Sequence, residues 1–217
     1  MDERSEVLQR ALGYPYEAPA ESFVQLGERT LALADAEVDL SNRTAVLAYG
    51  ANAAPEALAR KLGGNAEPLP VLRATLSGFD VVYSAHVSAY GSVPATLRPS
   101  SGTEVDAFVA HPTAGQLRLL EASEPNYALT ALNRDCCRYT EGTGPDGLSA
   151  FLSRHGCLRL DGSEIALAAV TARGRILGEM SQPEVLERLR GALRPELDLE
   201  SFVAECAAGA SSLRGLA

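Results

Sequence analysis

The stretch Thr44-Ala-Val-Leu-Ala-Tyr49-Gly50-Ala51-Asn52-Ala-Ala54-Pro55-Glu-Ala-Leu-Ala-Arg60-Lys61-Leu62-Gly63-Gly64 decides how the rest of the chain is read. Its first six residues are a short apolar run broken at Gly50, and Pro55 then opens a segment with helical spacing that stops at two glycines. Proline at the start and glycine after the end are the marks of a helix between them. The stretch therefore predicts strand, tight loop, helix and stop. A glycine turn entering a helix presents unpaired backbone N–H groups and the positive end of the helix dipole, a place suited to an anion. The plainer alternative is that Gly50 only permits a tight connection, with Asn52 or Ala54 as the cap.

Toward the C-terminus, apolar and β-branched runs follow at Leu69 to Leu76, Phe79 to Val87, Ala95 to Arg98 and Val105 to Ala110, separated by Gly, Pro and Ser. At Thr113 the period changes: Thr113 to Gln116 is a capping box, and the helix it opens ends near Glu124-Pro125. Strand character returns at Tyr127 to Leu132. Cys157 to Leu160 and Glu164 to Val170 form a hairpin through Asp161-Gly162. A second capping box, Ser181 to Glu184, opens a helix to about Leu193, and Leu199 to Ala207 is another. Toward the N-terminus, residues 1–43 are an acidic, proline-containing lead-in with one amphipathic helix, Ala20 to Ala34. Strands dominate the middle and helices are inserted and appended, which predicts an α+β fold around a mixed sheet or small barrel. The organisation is an N-terminal extension packed on the main domain (1–43), a central domain (44–175) and C-terminal helices (176–217).

The chain of 217 residues carries 28 acidic and 19 basic side chains, a net charge of -9. Nine of the acids fall in the first forty residues against three arginines. Such a chain repels a phosphate backbone, so nucleic acid is not expected as a partner. No apolar stretch approaches the ~18 residues that a membrane span needs, and the charged start MDERSEVLQR lacks the apolar core of a signal peptide, so a cytoplasmic location is expected. Lys61 is the only lysine, which with abundant Ala, Gly and Leu suggests a GC-rich bacterial source. Four cysteines, two of them adjacent, read as free buried thiols.

Several apparent motifs are weak. Gly142 to Gly147 spells G-x-G-x-x-G, and Leu148 to Arg154 could follow as a helix, but the polar segment before it and Pro145 within it favour a loop. His86, His111 and His155 have no metal-ligand spacing, so no metal and no cofactor are expected. Ser92 is in no nucleophile elbow. Glu124, at a helix end before an apolar strand, is the better candidate, because a half-buried carboxylate there is suited to proton transfer; the alternative is a solvated glutamate, and Glu121 is its rival.

Taken together, Leu47-Ala48-Tyr49-Gly50-Ala51-Asn52, the helix with Leu58 and Arg60, Gly91-Ser-Val-Pro-Ala95-Thr96-Leu97-Arg98-Pro99-Ser-Ser-Gly102, the strand Glu104 to Val109, and Leu120-Glu-Ala-Ser-Glu124 with Tyr127 resemble the γ-glutamylcyclotransferase and AIG2-like family in order and spacing. The similarity covers about residues 43–135. Ala51 stands where the family usually has Ser, and Pro125 where Gly is common.

The resemblance implies a small mixed β-barrel with flanking helices and a cavity at the Tyr-Gly-x-Asn loop. It also implies release of an amine with formation of 5-oxoproline from a small-molecule γ-glutamyl substrate, by attack of the substrate's own α-amine. In this reading Glu124 is the general acid/base, and Tyr49, Gly50, Ala51, Asn52 and Tyr127 bind substrate. A catalytically silent binding or regulatory protein on the same fold, and a hydrolase using Ser92 or a Cys, are the alternatives.

Overall fold

The computed structural model describes residues 3–142 and 144–209. A long antiparallel pair, β4 (Leu69–Tyr83) and β5 (Ala95–Ala110), organises the sheet. Each merges two of the short strands expected from sequence. The junction in β4 is a register shift between Ser77 and Phe79, where Gly78 sits at φ +80 and lets the ladder bend and continue.

Around this pair lie β1 (Phe23–Leu26), β2 (Arg29–Ala32), β3 (Val46–Ala48), β6 (Tyr127–Ala131), β7 (Cys137–Tyr139) and β8 (Ser149–Ser153). Short strands β9 (Arg159–Leu160), β10 (Ser163–Glu164), β11 (Ala166–Leu167), β12 (Ala172–Arg173) and β13 (Glu179–Met180) complete the set. The main path runs β13-β11-β4-β5-β3-β8-β6, mostly antiparallel with parallel pairings of β3 to β8 and β11 to β13. β9 and β10 pair through the expected Asp161-Gly162 turn.

The fold is α+β on a large mixed sheet, but the barrel expectation is corrected: the path runs open from β13 to β6, and no pairing joins its ends among the described residues.

Helices cover both faces. Along β3 and β5, Val46, Ala48, Phe108 and Ala110 enter one apolar cluster with α2 (Pro55–Leu62) and α3 (Ala114–Ser123). The alternating residues Leu47, Ala107 and Val109 enter another with α1 (Glu3–Leu12), α4 (Gln182–Leu193) and α5 (Leu199–Gly209). This period-2 division is what a strand buried on both faces requires. Both predicted capping boxes form, at Thr113 and Ser181.

Three further expectations are corrected. The helix expected over Ala20 to Ala34 is the hairpin β1–β2, because Gly27 turns the chain at φ +57 and the polar Gln25 finds partners inside the turn. β1 then pairs with β4, so Phe23 and Val24 are buried by sheet formation. Within the Leu148 to Arg154 segment, read as a possible helix from sequence, Ser149–Ser153 is strand β8, inserted between β3 and β6. The lead-in carries α1, whose Val7, Leu8, Ala11 and Leu12 pack on the core. Gly142 and residues 144–147 lie in no helix or strand, and Thr143 lies outside the described residues.

One buried ion pair ties the late strands to the long one. Asp80 in β4 is fully buried, and the Arg175 guanidinium meets it at 2.9–3.1 Å while also donating to the Val170 carbonyl. Removing the cation strands a buried charge, which typically costs about 3–5 kcal/mol. Arg175→Met is expected to lower the unfolding free energy in urea by about that amount, and adding Asp80→Asn should recover part of it; an unchanged midpoint for Arg175→Met would show the pair to be dispensable.

Candidate active site

β3 runs between β5 and β8 in the interior of the sheet, so the loop that leaves it is held on both sides. Tyr49 and Gly50 follow, then a tight turn Ala51–Ala53, then α2. Inside the turn the Ala53 and Ala54 N–H groups donate to the Gly50 and Ala51 carbonyls. Glycine at position 50 makes room for Tyr14: a Cβ there would lie 2.6 Å from the Tyr14 hydroxyl and push it aside.

Glu124 caps the C-terminus of α3. Its N–H bonds to the Glu121 carbonyl at 3.1 Å and its carbonyl accepts from Tyr127 N–H at 3.0 Å, so the backbone on both sides is tied down.

These pieces border one cleft of about 1000 Å³ including its open mouth. At its wall the Glu124 carboxylate receives Asn52 Nδ2 at 3.2 Å and Lys61 Nζ at 2.5 Å, and Lys61 also donates to Asn52 Oδ1 at 2.7 Å. The Lys61 and Glu124 side chains are 14% and 15% exposed, enough for a small molecule to reach both. Lys61 stands one helical turn after Ala57, which also lines the cleft. Arg60 contributes a second cation at the cleft edge, lying 4.9 Å from the Tyr16 ring and paired with Glu56. The cleft thus offers a carboxylate and a primary ammonium side by side, with a guanidinium near the mouth.

Aromatic residues make the remaining walls. The Tyr49 hydroxyl donates to the Phe151 carbonyl, and Tyr127 donates to the Ala95 carbonyl at 2.8 Å, so each ring faces the cleft while its proton is engaged by backbone. Tyr14 behaves differently: its oxygen accepts the Ala95 N–H at 2.7 Å. Burial holds the phenols of Tyr14, Tyr49 and Tyr127 above the ordinary value, with Glu124 adding to the effect.

Behind them lies a polar layer. His86 stacks on His155 at 4.7 Å and meets Tyr127 edge-on at 5.6 Å; its Nδ1 pairs with Ser84 Oγ at 2.7 Å, and His155 Nε2 pairs with Asn126 Oδ1 at 3.1 Å.

All the residues expected to form the site, Glu124, Tyr49, Gly50, Ala51, Asn52 and Tyr127, border this one cleft. Glu121 is exposed and does not line it. Ser92 does line it, but its hydroxyl pairs with Ser88 at 2.8 Å, while the His86 nitrogen that could activate a serine faces Ser84 instead. None of the four cysteines lines the cleft, and burial pushes the Cys137 and Cys206 thiols up to about 11. Among the described residues, no group of three or more His, Cys, Asp or Glu side chains gathers to hold a metal, and no helix is long and apolar enough to cross a membrane.

Sequence reasoning missed Lys61, Tyr14 and Tyr16. The signal for Lys61 was its place one turn beyond Ala57 on the helix that leaves Asn52. Gly13-Tyr14-Pro15-Tyr16, hidden in an acidic lead-in, held the signal for the tyrosines.

No protein-family model and no curated protein matches the chain. Among solved structures it is similar to the solution structure of At5g39720.1 from Arabidopsis thaliana, with a TM-score of 0.42 and 16% identity over 74% of this chain and 97% of that one.

Burial, helped by the neighbouring His155, lowers His86 to about 4, and burial lowers His111 to about 4. Both rings are neutral in the folded protein at neutral pH, whereas an unfolded histidine titrates near 6.5. The folded pKa lies below the unfolded one, so the stability they contribute is complete above about pH 6.5 and falls as pH drops toward about 4. Ring resonances of His86 and His111 followed by NMR should stay in the neutral form through pH 5.5; titration near 6.5 would show both rings to be solvated.

Proposed function

We propose that the cleft belongs to a γ-glutamylcyclotransferase-like enzyme, which releases an amine and 5-oxoproline from a γ-glutamyl compound. The observation that carries this reading is the meeting of Asn52 and Glu124, 72 residues apart, within 3.2 Å in one cleft. The resemblance of the Tyr49-to-Asn52 and Leu120-to-Tyr127 segments to that family, and the α+β sheet with α2 and α3 on one face, agree with it.

The chemistry asks little of the protein beyond holding the substrate folded. The α-amine attacks the γ-carbonyl through a five-membered ring, and such intramolecular attack has an effective molarity on the order of 10⁵ M or more when well oriented. A zwitterionic glutamyl head carries an ammonium and a carboxylate on one carbon. Glu124 complements the ammonium, and Lys61, released from Glu124 as that ammonium enters, complements the carboxylate.

Glu124 then takes one proton from the ammonium, freeing the amine to form the new C–N bond. The carbonyl π pair moves to oxygen. When it returns, the bond to the departing nitrogen breaks, Glu124 delivers its proton to that nitrogen, and the ring nitrogen gives up its second proton to solvent, which leaves the neutral lactam. No protein nucleophile is required, consistent with Ser92 and the cysteines lying apart from any activating base.

Lys61 also favours a second reading. An ammonium 2.5 Å from the carboxylate keeps that carboxylate occupied, as suits a protein that binds a small zwitterion without turning it over.

Mass spectrometry of the protein incubated with γ-glutamyl dipeptides and γ-glutamyl amines separates the two. Wild type is expected to release 5-oxoproline, and Glu124→Gln to lose at least about 100-fold in kcat with its melting temperature unchanged. Thermal stabilisation without product across the panel would favour the binding protein, and full activity in Glu124→Gln would remove the assigned role.

A further inference from the structure

The N-terminal segment brings Tyr14 and Tyr16 to the cleft, and the mechanism above uses neither. Tyr14 follows α1, is 8% exposed and lines the same cleft as Glu124. Its hydroxyl oxygen fills the space beside Gly50, where a Cβ would come within 2.6 Å of it, next to Ala51, which carries no hydroxyl of its own.

The three cleft tyrosines that border Glu124 divide by hydrogen bonding. Tyr49 and Tyr127 give their protons to backbone carbonyls. Tyr14 instead accepts a hydrogen bond, its oxygen receiving the Ala95 N–H at 2.7 Å. An oxygen that accepts in this way polarises its own O–H, which becomes a better donor. Burial keeps the phenol protonated across the neutral range.

Resting on the cyclotransferase reading, we infer that Tyr14 is a further catalytic residue, whose O–H donates to the γ-carbonyl oxygen as it becomes an oxyanion. The proton stays on Tyr14 throughout. When the α-nitrogen adds to the carbonyl carbon, the π pair moves to the oxygen and the hydrogen bond strengthens; when the amine departs, the pair returns. The Ala95 N–H thereby acts on the reacting oxygen through the phenol. This makes the acidic N-terminal segment part of the active site.

The test uses full-length wild type, Tyr14→Phe, Gly50→Ala and the double variant, with two readouts: 5-oxoproline release from a γ-glutamyl dipeptide, and calorimetric titration with L-glutamate, whose γ-carboxylate puts a charged oxygen where the oxyanion forms. Tyr14→Phe is expected to lose about 100-fold or more in kcat with KM changed by less than about threefold, as for removal of an oxyanion donor, and to bind glutamate about tenfold more weakly, the scale of a hydrogen bond to a charged group.

Phe also leaves the Ala95 N–H without its acceptor, so melting temperatures are recorded. Gly50→Ala retains the phenol and displaces only its hydroxyl. It should lower kcat by a clearly larger factor in the wild-type background than in Tyr14→Phe, where the nearest remaining atoms to the new methyl, at Ala95 and the Tyr14 ring position, are 3.6 Å away.

Equal kcat and equal glutamate affinity in wild type and Tyr14→Phe, or an equal effect of Gly50→Ala in both backgrounds, would overturn the inference. If Tyr14→Phe fails to fold, unchanged kcat in Gly50→Ala overturns it alone. Should wild type bind glutamate yet release no 5-oxoproline, the cyclotransferase reading falls while weaker glutamate binding by Tyr14→Phe still upholds Tyr14 as the donor; wild type that neither binds glutamate nor releases 5-oxoproline overturns both.

Discussion

The site depends on the packing of α2 against α3. Leu58 and Leu62 flank Lys61 on α2, Leu120 sits one turn before Glu124 on α3, and all three leucines are buried in a cluster with Phe23, Phe108 and Phe151. That apolar contact places an ammonium and a carboxylate from opposite helices 2.5 Å apart, with Asn52 bridging both. Burying leucines of this size contributes about 1.5–3 kcal/mol each, whereas a partly exposed ion pair contributes little. The leucines hold the charged groups in place, and the charges are left available to a ligand.

The terminal segments shape the other side of the cleft. α1 and α5 pack together on the opposite face of the sheet from α2 and α3, and the loop Ser84 to Pro94 is pressed against them. Gly91 is required there on two grounds: it sits at φ +80, and a Cβ would meet Val203 at 2.6 Å. Arg10 lies 3.9 Å from the Tyr90 ring and ties α1 to the same loop. His86, Ser88, Tyr90 and Ser92 therefore reach the cleft from a loop whose position is set by both ends of the chain.

The elements read correctly from sequence were those with local chemical signatures. Pro55 and Gly63-Gly64 bounded α2, and the capping boxes at Thr113 and Ser181 opened α3 and α4. Errors arose where tertiary pairing outweighed local pattern. Phe23, Leu26 and Leu31 matched a helical stripe, but the edge of β4 at Leu69 to Val71 was available to pair, and Gly27 supplied the turn. α1 was hidden by its acidic composition although Val7, Leu8, Ala11 and Leu12 recur at helical spacing. Glu124 and the Tyr49-to-Asn52 loop were legible because each ends a regular element. Tyr14 was not, since its role comes from an approach to Gly50 and Ala95 across 36 and 81 residues that no local pattern records.

The proposed reaction turns on intramolecular attack by the substrate's own amine, and isotope labelling tests that most directly. A γ-glutamyl dipeptide would be incubated with the protein in water enriched in ¹⁸O and the glutamyl product analysed by mass spectrometry. The account predicts 5-oxoproline without the label, because no water enters the bond that forms. Glutamate carrying one ¹⁸O would contradict it, since the cleft would then be hydrolysing its substrate.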